Sequence, residues 1–420
     1  MKANKNFKKF LLLWTGELIS SIGGGLTSFG LGVYIFRQTG SAASMALVTL
    51  LGFLPTLLLS VPAGVLADRY DRRVLMMIGD GCSALGIVYI LLCMMNGGAS
   101  LLQISIGVLI SSIFSALLEP SFRATITDLL TKEEYSKASG LVSLAGSARY
   151  LFSPVIAGFL LAVSDVRLLL AIDIGTFFLT VVSAAVVRKG LGTKTLEVKE
   201  SFLESLKGGW KVLCEKRGIL ILVAVSSGIT LFMGMFQILA EPLILSFTDA
   251  KTLGVAETVC ACGMLVSGLI LGIKGMKGRY VNTLSLALIL AGISMFGFGL
   301  FESIIPLCVF GFLFFATLPF ANNCLDYLIR TNIPDEVQGR AWGMIGFLSQ
   351  LGYVVAYAIS GVAADGLGRI GDRGVGRGAA LVIILAGICM VVIAISIWFP
   401  DHIRELEKTA RDDEQTTKED

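Results

Sequence analysis

Gly64-Val-Leu-Ala-Asp-Arg-Tyr-Asp-Arg-Arg73 is the stretch whose reading decides the fold. Five of its ten residues are charged, in a chain where charged residues make up only 15%. Long apolar runs flank it on both sides, so it must sit in water between two segments that do not. Gly64, and an Asp68 followed at once by Arg69, predict a tight turn with ion pairs of its own rather than a passive spacer.

The flanking runs are part of a pattern that fills the chain. Of 420 residues 55% are hydrophobic, with mean hydropathy +0.81 and 48 glycines. Apolar stretches of about 20 residues recur from end to end, each enough to cross a hydrocarbon layer of about 30 Å. They are continuously apolar rather than alternating, which excludes a β-barrel. The fold class is an all-α membrane protein with twelve transmembrane helices. The spans are placed at about 10–36, 44–67, 74–95, 101–123, 138–163, 168–187, 217–246, 252–273, 282–300, 304–329, 339–364 and 379–399. Lys2, Lys5, Lys8 and Lys9 before the first run resemble a signal peptide, but that run is too long and lacks a cleavage site. The eight cysteines show no CxxC pairing and read as small core residues. With His402 the only histidine, proton chemistry inside the membrane falls to carboxylates. The sequence points to no metal site, no cofactor, no enzyme activity and no nucleic-acid partner.

Charge fixes the expected orientation. With both termini inside, 27 lysines and arginines fall in cytoplasmic segments, against six outside: Arg37, Arg167, Lys251, Arg369, Arg373 and Arg377. The chain divides into an N-terminal six-helix bundle (1–187), a basic cytoplasmic linker with an amphipathic helix (188–216), a C-terminal bundle (217–400) and a cytoplasmic tail (401–420). The halves echo each other at an offset of about 200 residues: Glu119-Pro-Ser-Phe-Arg123 matches Pro319 to Asp326, and the 64–73 stretch has a fainter, aspartate-free echo in Gly272–Arg279. Such pseudo-symmetry places a binding site where two halves meet.

Placed between spans two and three, the opening stretch resembles the G-x-L-a-D-R-x-x-R-R signature of the major facilitator superfamily. Gly64, Leu66, Asp68, Arg69, Arg72 and Arg73 fit it, and Asp71 replaces a common glycine. Trp14-Thr-Gly-Glu17, Thr39-Gly-Ser-Ala42, Leu51-Gly-Phe-Leu-Pro55, Ala171-Ile-Asp173 and Cys262-Gly-Met-Leu265 resemble its drug-exporter branch, which includes macrolide efflux proteins. Gly146, Pro154 and Gly158 in span five are similar to the proline-containing helix-bend motif of antiporters in that superfamily. The resemblance implies a gating role for Gly64, Asp68, Arg69, Arg72 and Arg73, with Arg69, Arg72 and Arg73 reaching Glu119 and Asp128, and Asp326 and Arg340 at the equivalent place in the second half.

Within the spans, polar residues are costly and therefore informative; a central charge costs at least about 2.5–3.5 kcal/mol on insertion scales. Glu17 reads either as a proton site in a cavity or as a solvated group near the interface. Arg149, halfway along span five, needs a partner or water, with Glu17, Glu119 and Asp173 in reach. It is either an anion anchor coupled to a carboxylate or a static buried pair. Glu241 beside Pro242 is either a coupling group or a wet helix end. Asp173 is included among the proton-coupling candidates, though a structural hydrogen-bonding role suits it better. Substrate-cavity candidates are Ser20, Thr27, Phe29, Phe53, Thr230, Met233, Phe236, Gln237, Asn322, Phe347, Tyr353 and Tyr357. Glycine-rich 366–378 reads as a flexible external loop, lacking the order of a phosphate loop.

The expectation is a plasma-membrane, multi-pass, monomeric secondary active exporter. It works by alternating access and proton antiport, and its cargo is a bulky amphiphilic compound such as an antibiotic. A lipid or siderophore translocase, or a non-transporting sensor, stays open beside it.

Overall fold

The computed structural model describes residues 2–131, 134–188, 210, 217–276, 279–333, 338–370, 372–397 and 407, with no account of the side chains of 2–5, 136, 217 and 338–340. The helices are α1 (Lys2–Thr39), α2 (Ala42–Arg69), α3 (Arg72–Met95), α4 (Leu101–Ser115), α5 (Leu118–Leu129), α6 (Tyr135–Val163) and α7 (Val166–Arg188), then α8 (Arg217–Leu245), α9 (Ala250–Lys274), α10 (Tyr280–Leu300), α11 (Ile304–Arg330), α12 (Gln338–Arg369) and α13 (Gly374–Ile397). No strand occurs among the described residues. Among the described residues twelve helical spans are long and apolar enough to cross a membrane, as the hydropathy pattern predicts. The 188–216 linker with its expected amphipathic helix, apart from Arg188 and Trp210, and the 401–420 tail, apart from Glu407, lie outside the described residues.

Three local expectations are corrected. Gly64 is not at a turn: α2 continues to Arg69, and the reversal is made by Tyr70 and Asp71 alone. The fourth span is two helices, α4 and α5, because Pro120 has no N–H to give the Ala116 carbonyl one turn back. The 366–378 stretch is largely helical, and only 370–373 lies between α12 and α13. Its glycines serve contact and reversal: Gly374 takes φ +79, and a Cβ on Gly378 would fall on the Ala364 carbonyl.

Contacts divide the chain into two units. The first comprises Met1–Lys199 with Thr248–Thr258, the second Glu200–Phe247 with Val259–Asp420. The early residues of α9 join the first unit through α6, where Gly254 lies backbone to backbone against Pro154 and Gly158. Within each unit the helices pair alike. In the first, α1 packs on α6 and α7, and α3 packs on α4 and α7. In the second, α8 packs on α12 and α13, and α10 packs on α11 and α13. Span for span this is one scheme used twice, which gives the internal repeat a structural basis.

Lipid is as apolar as leucine, so helices associate through close packing and hydrogen bonds rather than through a hydrophobic drive. The α1–α7 seam shows how. Gly16, Gly23 and Gly30 recur every seven residues and face Ser183, Thr176 and Leu169, also seven apart. A seven-residue repeat keeps one stripe of each helix facing the other along its length.

Two apolar clusters cap this first unit. One gathers Leu31, Ile35, Ile87, Ile90, Met94 and Leu170; the other gathers Phe10, Leu13, Met76, Phe122, Ala184 and Val187. Along α1, α3 and α7 the residues between them include a polar layer.

Candidate functional site

The charged turn is built by its own side chains. Asp71 caps α3, its Oδ1 accepting the Arg73 backbone N–H at 3.0 Å. Arg72 is buried: it donates to Asp128 Oδ1 at 2.7 Å, to the Ala124 carbonyl at 2.8 Å and to the Ala67 carbonyl at 3.1 Å, and lies 3.7 Å from Asp68. Arg73, 2% exposed, reaches Asp128 Oδ2 at 3.4 Å. One carboxylate thus holds two buried guanidiniums, locking the foot of α3 to α5. Glu119 does not join them; it pairs with Arg123 one turn on, at 2.8 Å, in the open. Arg69 is exposed, and Asp71 reaches beyond the turn to Arg188 at the end of α7, at 3.0 Å. The second half's equivalent is slighter: Asp326 and Arg330 meet at 3.4 Å, both exposed, and the Arg340 side chain lies outside the described residues.

The polar layer holds three carboxylates. Asp173, 1% exposed, accepts the Thr27 hydroxyl at 2.6 Å and the Thr176 hydroxyl at 3.4 Å, the hydrogen-bonding role expected of it. Glu17 is partly buried on α1, and its Oε2 is buried without a hydrogen-bond partner. Asp80, 1% exposed on α3, likewise leaves Oδ2 without one. The charges of Glu17 and Asp173 both reach Asp80, and that of Glu119 reaches Glu17. Thr180 stands beside Asp80 and donates to the Gly16 carbonyl at 3.4 Å. Gly23 makes room for this layer, since a Cβ there would meet Asp173 Oδ1 at 2.8 Å.

Arg149 does not pair with Glu17, Glu119 or Asp173. It is exposed on α6, its Cγ packed against Gly25, near enough for its charge to act on Asp173. Next to it Ser153 donates to the Ile22 carbonyl at 3.0 Å, fastening α6 to α1. Of the helix-bend residues, Pro154 and Gly158 are buried and closely packed, whereas Gly146 faces open space.

In the second unit α8 meets α12 through polar and aromatic groups. Ser227 and Thr230 donate to the Leu348 and Ser349 carbonyls. Tyr353 donates to Met233 Sδ at 3.1 Å and Tyr357 to Gln237 Oε1 at 3.2 Å. Glu241 is half-buried on α8 beside Pro242. Phe236 is core rather than cavity wall: 3% exposed, it meets Phe298 and Phe314 at 4.5 Å. Phe29, Ser20 and Thr27 are also buried within their unit, while Phe53 and Phe347 are partly open and Asn322 is exposed. Arg377 meets Glu302 at 3.7 Å, so it is not a free external cation.

Sequence reasoning passed over Asp80 and Glu257. Both lie inside spans so apolar that a single carboxylate is hidden among its neighbours. The signal was available, because an ionisable residue within a span marks function by default.

Comparison with known proteins follows the same direction. The sequence profile of the Major Facilitator Superfamily matches residues 13–357. Macrolide efflux protein A of Streptococcus pyogenes is 26% identical over 420 residues, covering 97% of this chain and 100% of that protein. The Staphyloferrin A transporter of Staphylococcus aureus is 25% identical over 346 residues, covering 81% of this chain and 84% of that one. Among solved structures, the nucleoside transporter NupG superposes with TM-score 0.75 over 93% of this chain and 100% of that chain at 12% identity, a likeness of fold.

Proposed function

Since the chain belongs to the Major Facilitator Superfamily, and is a multi-pass membrane transporter rather than an enzyme, we propose that it exports a bulky amphiphilic compound of the macrolide kind by proton antiport. In this reading the six-span halves, 1–187 and 217–400, rock about a central site and the 188–216 linker tethers them. Both termini are cytoplasmic and the working unit is a monomer. The observation that carries the coupling is Glu17, a carboxylate inside the first span with a buried, unpartnered oxygen. A group so placed exchanges a proton only when the surrounding helices admit water, which ties proton uptake to one state of the cycle. Moving a two-state equilibrium from mostly one state to mostly the other needs about 5.5 kcal/mol of differential binding, a scale that proton binding and cargo binding reach together. The partly open Tyr353 offers the cargo an aromatic face and Gln237 an amide beside it, few fixed polar demands in all, while Tyr357, 7% exposed, is core rather than cavity wall. Asp68, Arg72, Arg73 and Asp128 act as the inner latch.

A second reading is an anionic cargo such as a siderophore. Arg149 favours it, as an exposed guanidinium with no ion pair to Glu17, Glu119 or Asp173. Everted membrane vesicles given a labelled macrolide and an imposed pH gradient test the coupling. Glu17→Gln and Arg149→Ala are each expected to lower driven uptake on the order of tenfold, with the protein still monodisperse. Normal pH-driven uptake in both variants would end the coupling proposal. In the same vesicles, uptake of a carboxylate-rich siderophore in place of the macrolide would establish the second reading.

A further inference from the structure

We propose that Asp80 is a proton-carrying residue of the transport cycle, working in relay with Glu17 one helix away. This deepens the proton-antiport reading and rests on it. Three observations lead there. Asp80 sits on α3 in the polar layer, with apolar clusters above and below it on the same helix: Ile87, Ile90 and Met94 on one side, Met76 on the other. Its Oδ2 is buried without a hydrogen-bond partner, although the side chain is only 1% exposed. A carboxylate retained for structure has its oxygens satisfied, as Asp173 has both of its own through Thr27 and Thr176. Asp80 keeps one oxygen vacant at a depth where vacancy is expensive.

The groups around it narrow the chemistry. From α1 it faces Glu17; from α7, Asp173 and Thr180. From α4 come the Ser111 and Ser115 hydroxyls, both bonded to Ser83 one turn along α3, at 2.7 and 2.9 Å. From α5, Asp128 lies toward the foot of α3 and is held by Arg72 and Arg73. From α2, Asp68 lies at the same end, 3.7 Å from Arg72. From α6, the charge of Arg149 acts on Asp173. No lysine or arginine pairs with Asp80 among the described residues. Among the described residues no three His, Cys, Asp or Glu side chains gather to hold a metal ion, and a single buried carboxylate oxygen suits a proton. The step is simple and balanced: hydronium gives a proton to one carboxylate oxygen and leaves as water, and the reverse transfer releases it on the other side. Glu17, the less buried of the two, exchanges with water when the helices around it open; Asp80, 1% exposed, holds the proton while they rearrange.

The test uses the full-length protein in proteoliposomes with pyranine inside and a labelled macrolide as probe. In the wild type, macrolide accumulation follows the pH gradient, and macrolide movement is matched by proton movement. For Asp80→Asn the ratio of gradient-driven accumulation to gradient-free exchange is expected to fall about tenfold, and the pH profile of driven transport to flatten. A ratio and profile like the wild type's overturn the role of Asp80 while leaving proton antiport standing. A wild type without gradient-driven accumulation overturns antiport and this inference together. Should the asparagine variant fail to fold, Asp80→Glu decides. Coupled transport with a displaced pH midpoint supports the relay; an undisplaced midpoint, or loss of exchange along with coupling, overturns it.

Discussion

The two units use one helix-pairing scheme for different chemistry. In the first, α1 lies on α7 along a glycine stripe, and the space so gained is filled by Thr27, Thr176, Thr180, Asp173, Asp80 and Glu17. In the second, α8 lies on α12 through hydroxyl-to-carbonyl bonds and tyrosines, backed by Phe236, which stacks on Phe314 and meets Phe298 at a tilt. The carboxylate-rich layer has no like among the described residues of the second unit. The difference extends to the charged ends. Arg72, Arg73 and Asp128 are interlocked and largely buried, whereas Asp326 and Arg330 are an exposed pair. A duplicated frame has thus been divided into a unit that handles charge and a unit suited to an adaptable organic surface.

The largest effect that could break this contrast is at the latch. Asp128→Ala leaves Arg72 and Arg73 buried without their carboxylate, a loss of about 3–5 kcal/mol in unfolding free energy. Its counterpart Asp326→Ala removes an exposed pair and is expected to cost about 1 kcal/mol or less. Thermal unfolding of the two variants in the same detergent measures the difference. Equal losses would mean that both halves are locked alike and that the asymmetry is an accident of exposure.

Next in size is the glycine stripe. Gly23→Ala puts a methyl group against Asp173 Oδ1 and the Thr176 hydroxyl, and Gly352→Ala puts one against the Ser227 carbonyl. Each is expected to destabilise by about 1–3 kcal/mol, the usual cost of overpacking. Gly24→Ala and Gly346→Ala meet nothing within 4 Å and act as helix-favouring controls. The contrast sharpens if Gly23→Ala also shifts the pH profile of driven transport while Gly352→Ala changes only its apparent affinity for the cargo. The same response from both would remove the division of labour.

The sequence carried the fold almost entirely, because length and hydropathy alone decide what can cross a bilayer. Asp128 as partner of the turn's arginines was also legible, being the carboxylate set one short amphipathic helix away. What escaped were effects that depend on depth and on neighbours. Phe236 looks like a cavity wall along α8, yet α10 and α11 supply Phe298 and Phe314 to enclose it. Gly64 looked like a turn, but nothing in the sequence says that α2 still has a turn and a half to run before Tyr70. The depth of Arg149 calls for a partner or water without saying which; the fold leaves it exposed, with its stem packed on α1. Asp80 was hidden by its apolar surroundings, and only the packing of both α1 and α3 on α7 gives it company.

The smallest effect tests the one connection of the latch that lies outside the shared frame. Asp71 stands where the superfamily signature carries glycine, and the second half's echo, Gly272–Arg279, has no aspartate to match it. Its two oxygens divide their work: Oδ1 caps α3 and Oδ2 meets Arg188 at 3.0 Å. Arg188→Gln removes the ion pair and leaves the cap. With the arginine side chain 52% exposed, the loss is expected to be below about 1 kcal/mol and to vanish at high salt. Unfolding temperatures at low and high salt check this directly. A loss that survives screening would show that Arg188 is held as firmly as Arg72. The end of α7, which also carries Asp173 and Thr180, would then be fastened to the charged turn. The polar layer and the latch would in that case move as one piece, and the first unit would couple charge to gating through a single helix.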